Sequence, residues 1–169
     1  MYHKRLRTYK KIGFEVCTEV LDKQIITNSI FGSDNYRVAF EKDILSAAKS
    51  IVISSPFLGS KSTNWLIDQA DNLQTRGVWI YVISLSSDRY PEDGREHHME
   101  LLQSLRGAGI HILTPLHCYE RFAIIDQSIV WYGSMNLLSN AKVDDNLMRT
   151  TSSSIAQELL ELTYTKNKE

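Results

Sequence analysis

A chain of 169 residues, 43% hydrophobic and 23% charged, is long enough for one domain with a real core and too short for two comfortable ones. Its formal net charge of −1 carries no global signature of a nucleic-acid binder, and no apolar run approaches the roughly 20 residues of a membrane span. Cys17 and Cys118 lack metal-ligand spacing, and no hydrophobic stretch follows the basic N-terminus as in a secretory signal. A reduced, cytoplasmic setting is the simplest expectation.

Residues 1–11 form a basic tip containing Lys4, Arg5, Arg7, Lys10 and Lys11 and no acid. Such a tip suits phosphate backbone, and a solvated terminus is the plainer alternative. Residues 13–27 are β-branched and read as an edge strand or hairpin. Residues 28–35 read as a turn around Gly32, Ser33 and Asp34. Residues 1–29 therefore stand apart from a domain over 30–165, with 166–169 as a tail.

Tyr36 to Lys49 spaces Phe40, Ile44, Ala47 and Ala48 as a helix, with Ser33 or Asp34 available as its cap. Ile51 to Ser55 is a continuous apolar run stopped by Pro56, the pattern of a central strand buried on both faces. Ser54-Ser55-Pro56-Phe57 lies at its exit, the rim where ligands meet the sheet in α/β domains. Thr63 to Thr75 is a second helix carrying Leu66, Ala70 and Leu73 on one stripe. Val78 to Ser84 is a second central strand, and residues 86–94 form a polar loop long enough to frame a site. Arg95 to Arg106 is a third helix with Met99, Leu102 and Leu105 facing in. Its His97-His98 pair lacks i, i+4 spacing and reads as a solvated helix face rather than a metal site. Ile110 to Leu113 is a short strand on which His111 is partly buried.

The stretch from Leu116 to Asn136 is the part the rest of the chain serves. Its two apolar runs, parted only by Asp126-Gln127, read as a buried β-hairpin. Strand alternation puts His117, Tyr119 and Arg121 on one face and Cys118, a packed thiol, on the other. A cation on such a strand, beside Asp126 and the Gly133-Ser134-x-Asn136 turn, is suited to gripping a phosphate. The glycine lets backbone approach the ligand, and Ser134 and Asn136 supply hydrogen bonds. Trp131 reads as core and Tyr132 as rim. Asn146 to Thr150 adds a strand, and Ser154-x-x-Gln157 is a capping box for a last helix over 155–165. Strand and helix alternate up to residue 113, and a hairpin, a strand and a helix follow. That order predicts a single-domain α/β/α sandwich with a mixed sheet, parallel first and antiparallel later.

The pattern Tyr119-x-Arg121-(x)4-Asp126-(x)6-Gly133-Ser134-x-Asn136, followed by Asp145-Asn146, resembles the His-x-Lys-(x)4-Asp-(x)6-Gly-Ser-x-Asn signature of the phospholipase D superfamily. The resemblance covers residues 30–165. The wording around Arg121 to Asp126 and Val130 to Gly133 is similar to single-motif, nuclease-like domains found with bacterial helicases. It implies phosphodiester chemistry without metal or cofactor. One His attacks phosphorus, a second protonates the leaving oxygen, and Lys and Asn hold the phosphoryl oxygens. With one motif per chain it implies a homodimer whose twofold axis passes through the site.

Tyr119 stands where the family carries its nucleophilic His. The resemblance therefore implies a DNA-binding domain with weakened or lost phosphodiesterase activity, or alternatively an active endonuclease working through Tyr119 or His117. The candidate catalytic residues are His117, Tyr119, Arg121, Asp126, Ser134 and Asn136. The candidate phosphate ligands are Arg121, Gly133, Ser134, Asn136, Asp145 and Asn146. The implied partners are DNA, a second copy of the chain, and a helicase or other DNA-processing domain. No amphipathic segment points to a membrane.

Overall fold

In the computed structural model, residues 28–165 are described, and the expected basic tip and its following strand lie outside them. The chain runs through β1 (Asn28–Gly32), α1 (Tyr36–Ser46), β2 (Ser50–Ser54), α2 (Ser60–Thr75), β3 (Trp79–Ile83) and a 3-10 turn (Ser87–Arg89). It continues through α3 (Arg95–Gly107), β4 (His111–Leu113), β5 (Phe122–Ile125), β6 (Ile129–Gly133), β7 (Asn146–Thr151) and α4 (Ser153–Thr165). One seven-stranded sheet has the order β1-β7-β6-β5-β2-β3-β4. β2, β3 and β4 are parallel, and the remaining neighbours are antiparallel, as the order of elements predicts. Among the described residues no helix is long and apolar enough to cross a membrane.

Alternation along the central strands divides the apolar side chains between two cores. Ala123 and Ile125 of β5 join Ile51, Ile53, Ile80 and Val82 in the larger core, with residues of α1, α2 and α3. Phe122 and Ile124 join Val130 and Ile83 in the smaller one, with Ala156 and Leu159 of α4. The Leu66, Ala70 and Leu73 stripe of α2 is buried as its spacing requires.

Tertiary partners moved several boundaries. The turn expected over 28–35 is instead β1, because Asn28 to Gly32 pair residue by residue with Thr150 to Asn146. The cap position of α1 is Asn35 rather than Ser33 or Asp34, and its Oδ1 accepts the Gly32 N–H at 2.9 Å. α1 stops at Ser46, short of the expected Lys49, and the amides of Ala48, Lys49 and Ser50 donate to the Asp126 carboxylate. α4 opens on Ser152, whose Oγ accepts the Ile155 N–H at 3.3 Å, and not on Ser154.

In α3 the inward face is His98, Leu101, Leu102 and Leu105, a clean i, i+3, i+4, i+7 stripe. Met99 is 45% exposed, whereas His98 is fully buried, the reverse of what hydropathy suggests. The imidazole is accommodated because its Nε2 lies 2.9 Å from the Leu85 carbonyl oxygen and its ring stacks on Tyr90 at 4.1 Å. Burial pushes the His98 pKa below the ordinary imidazole value. The Leu85 bond opposes that shift, and neighbouring His97 adds to it.

A buried polar cluster joins α1 to β6 and β7. Arg149 donates to Asp43 through Nε at 2.6 Å and through Nη2 at 3.0 Å, and Trp131 Nε1 donates to the same carboxylate at 2.8 Å. Asp43, Arg149 and Trp131 are all buried.

Candidate functional site

The site residues gather at the C-terminal rim of β2. Ser54 pairs with Phe122 on β5, and Phe122 pairs with Tyr132 on β6. One position further out, Ser55, Arg121 and Gly133 come side by side, and the Gly133 N–H donates to the Arg121 carbonyl at 3.2 Å. With strands about 4.8 Å apart, these three positions span roughly 10 Å.

The expected strand carrying His117, Tyr119 and Arg121 does not form. Residues 114–121 are an irregular approach to β5, since β4 pairs only with β3 and the β5 partner, β2, ends at Ser54. The approach is anchored by Ser54 Oγ, which donates to the Glu120 carbonyl at 2.7 Å, and by Arg89 Nη1, which donates to the Leu116 carbonyl at 2.7 Å. The side chains still alternate. Cys118 is buried, and desolvation pushes its thiol up to about 11, so it packs as a protonated core group. Tyr119 is 66% exposed, and its ring centroid lies 6.1 Å from that of His117.

Arg121 is partly buried, and its Nε is shielded from solvent with no hydrogen-bond partner among the described residues. A buried donor left without an acceptor costs about 1–3 kcal/mol, which an incoming anion would recover. Asn136 reaches the same rim: its Oδ1 accepts the Phe57 N–H at 3.4 Å, leaving Nδ2 as its remaining donor. Ser55 ties the two sides together, since its Oγ donates to the Phe57 carbonyl at 2.8 Å and accepts the Leu138 N–H at 3.1 Å. Phe57 meets Tyr90 edge-on at 5.5 Å, and Tyr90 rests on His98. The 86–94 loop thus packs against Phe57 through Tyr90 and holds the Leu116 carbonyl through Arg89. His98 and Tyr90 are supports that sequence reasoning missed, and the i, i+3, i+4, i+7 spacing that His98 shares with three leucines was the available signal.

The other members of the motif have different duties. Asp126 and Gln127 occupy the tight turn between β5 and β6 with positive φ angles of 51° and 57°. Asp126 is five residues along the strand direction from Arg121, about 16 Å, too far to share a phosphate with it. Its carboxylate accepts the N–H groups of Ala48 at 2.9 Å, Lys49 at 2.7 Å and Ser50 at 3.0 Å. The expectation that Asp126 stands beside the cation is therefore corrected: it ties the hairpin to the α1–β2 connection. Gly133 is corrected in the same way. A Cβ there would lie 2.1 Å from the Asn146 carbonyl oxygen, so the glycine admits β7 rather than a ligand. Ser134 Oγ donates to Asp145 Oδ1 at 2.9 Å and accepts the Asn146 N–H at 3.1 Å, while Asp145 Oδ2 accepts the Lys142 N–H at 2.7 Å. These bonds close the 134–146 loop. They leave Arg121 and Asn136 as the motif residues that present donors at the rim.

Burial opposes ionisation of Asp126, but the Ala48, Ser50 and Lys49 amides, with the Lys49 charge, prevail and hold its pKa below the ordinary 3.8. A folded-state pKa that is depressed stabilises the fold above the unfolded carboxyl range, and this contribution is lost as pH falls through the folded value. Asp126→Asn is expected to cost about 1–2 kcal/mol at pH 7, the scale of hydrogen bonds to a charged acceptor. The gap to the parent should shrink in urea titrations as pH drops below about 4. A gap that is constant between pH 7 and pH 3 would show that the carboxylate charge contributes nothing.

The family described as cardiolipin synthase, PLD-like domain, matches residues 40–163. No curated protein matches the sequence significantly. Among solved structures, Nuc, a phospholipase D family member from Salmonella typhimurium, aligns with a TM-score of 0.65 at 18% identity, over 82% of this chain and 92% of its own. NucT from Helicobacter pylori aligns with a TM-score of 0.57 at 21% identity, over 83% of this chain and 94% of its own. TrmBL2, an archaeal chromatin protein with a novel mode of DNA binding, aligns with a TM-score of 0.55 at 12% identity, over 98% of this chain and 58% of its own. At such identities these three share the fold.

Proposed function

The chain belongs to the phospholipase D-like family, and from that premise we propose that it grips the phosphate backbone of DNA through Arg121 and Asn136, with phosphodiesterase activity weakened or lost. The observation that carries this reading is the shielded Nε of Arg121 at the strand rim, which has no hydrogen-bond partner among the described residues. A guanidinium keeps its charge and offers a planar fork that matches two phosphate oxygens. Asn136 Nδ2, held on the other side of the Ser55 bridge, is a second donor of the kind that binds a phosphoryl oxygen. Loss of catalysis follows from Tyr119: an imidazole attacks phosphorus at neutral pH, whereas a phenol needs an activating base beside it. DNA is favoured as the polyanion because TrmBL2, a chromatin protein of the same fold, binds it.

The test is a salt titration of binding to single- and double-stranded DNA. Arg121→Ala should weaken binding about tenfold at 100 mM salt and lower the slope of log K against log salt by about one phosphate contact. Arg121→Lys should keep the slope. If Arg121→Ala binds like the parent across the salt range, the rim is not the contact and the reading fails.

A further inference from the structure

At the opposite end of β2 from Arg121, the sheet face that carries α4 holds a cavity of about 420 Å³. That volume falls in the range of small-molecule sites. One wall is aromatic: Trp79 and Tyr81, two residues apart on β3, face the cavity, and Leu160 of α4 faces it from the other side. Lys49, Ser50 and Gln127 supply polar groups at its lining. None of these groups takes part in the phosphate rim described above.

Three features set the cavity apart from an ordinary surface hollow. Trp79 is 59% exposed, although a tryptophan left in water forgoes more apolar burial than any other side chain. It does not stand alone: His111 on β4 stacks between the two β3 rings, at centroid distances of 5.4 Å from Trp79 and 5.0 Å from Tyr81. His111 was expected to be partly buried on its strand. It is exposed, and its ring packs against both aromatic side chains. The third feature is charge. Lys49 forms no direct ion pair among the described residues; its charge acts on the nearby Asp126 carboxylate, whose oxygens are bonded to three backbone amides. The Lys49 side chain lines the cavity.

We infer that this cavity binds a planar aromatic anion of about mononucleotide size, its ring against Trp79 and Tyr81 and its anionic group at Lys49. A flat π-face matches the aromatic wall. The Lys49 ammonium favours a negative charge over a neutral ligand, and the Ser50 and Gln127 side chains provide hydrogen bonds to orient it. A neutral apolar ligand would leave the Lys49, Ser50 and Gln127 groups facing a surface that cannot bond to them.

The probes are 5′-AMP, adenosine, which lacks the anion, and ribose 5-phosphate, which lacks the ring. Binding is read from the fluorescence and the indole N–H resonance of Trp79, assigned with a Trp79→Phe variant. AMP should quench Trp79 and shift its resonance saturably, adenosine should bind about fivefold more weakly, and ribose 5-phosphate should leave the ring signals unchanged. Trp79→Ala should lower AMP affinity about tenfold, the scale of losing one stacked base. Lys49→Met should reduce AMP binding to the level of adenosine while leaving adenosine unaffected. Arg121→Ala should bind AMP at this cavity like the parent, which separates the proposal from the phosphate rim. The inference is overturned if 10 mM AMP leaves the Trp79 signals unmoved, or if AMP binds equally well to Trp79→Ala, the latter placing the nucleotide elsewhere on the protein.

Discussion

Tyr119→His is expected to raise phosphodiester cleavage in the presence of chelator on the order of 10²-fold over the parent. The substitution restores an imidazole two residues before Arg121, next to a rim that already holds a partly buried guanidinium and the Asn136 amide. General acid–base contributions are about 10²–10⁴-fold each, so even partial recovery stands clear of background. Because Tyr119 is 66% exposed and packs in neither core, the change leaves the fold alone. In the proposed two-histidine mechanism the second His would come from a partner chain, and on that reading recovered activity should rise with dimer formation and fall on dilution. Tyr119→His combined with Asn136→Ala should lose most of the gain. A folded, dimeric Tyr119→His protein that is inert on DNA, RNA and model diesters would end the enzymatic reading and leave binding alone.

Asp43→Ala is expected to cost about 3–5 kcal/mol, because it removes the carboxylate that faces a buried guanidinium. Arg149 would lose its Nε and Nη2 bonds to the carboxylate, and Trp131 Nε1 would lose its acceptor inside the larger core. For a domain of this size the loss amounts to a fall in Tm of roughly 10 °C, readable by circular dichroism. Replacing both partners together, as in Asp43→Leu with Arg149→Met, should recover most of the loss, since an apolar pair removes the desolvation penalty along with the attraction. A single Asp43→Ala cost below 1 kcal/mol would show that water reaches the cluster and that it does not pin α1 to the sheet.

Local pattern was enough for much of the fold. The continuous run Ile51 to Ser55 ending at Pro56 could only serve as a short buried strand, and Leu66, Ala70 and Leu73 could only share one helix face. The alternation of such segments dictated parallel strands first and antiparallel ones after, and the spacing from Arg121 to Asn136 marked the family. These features depend on periodicities of 2 and 3.6 residues within a single element, which a sequence displays directly.

What escaped were decisions made by residues far apart in the chain. β1 is a strand only because β7 lies beside it, and His98 turns inward only because Leu85 and Tyr90 accept it there. The motif itself divides for the same reason. Asp126 and Gly133 hold their spacing from Arg121 in the sequence, yet five residues of extended chain carry Asp126 to the far end of β5, and the approach of Asn146 claims the space above Gly133. The sequence by itself determined which residues make up a phospholipase D-like motif. Only the packing of β2, β5, β6 and β7 decided which of them meet at one rim, because hydrogen-bond partners and close backbone approaches are set by neighbours in space.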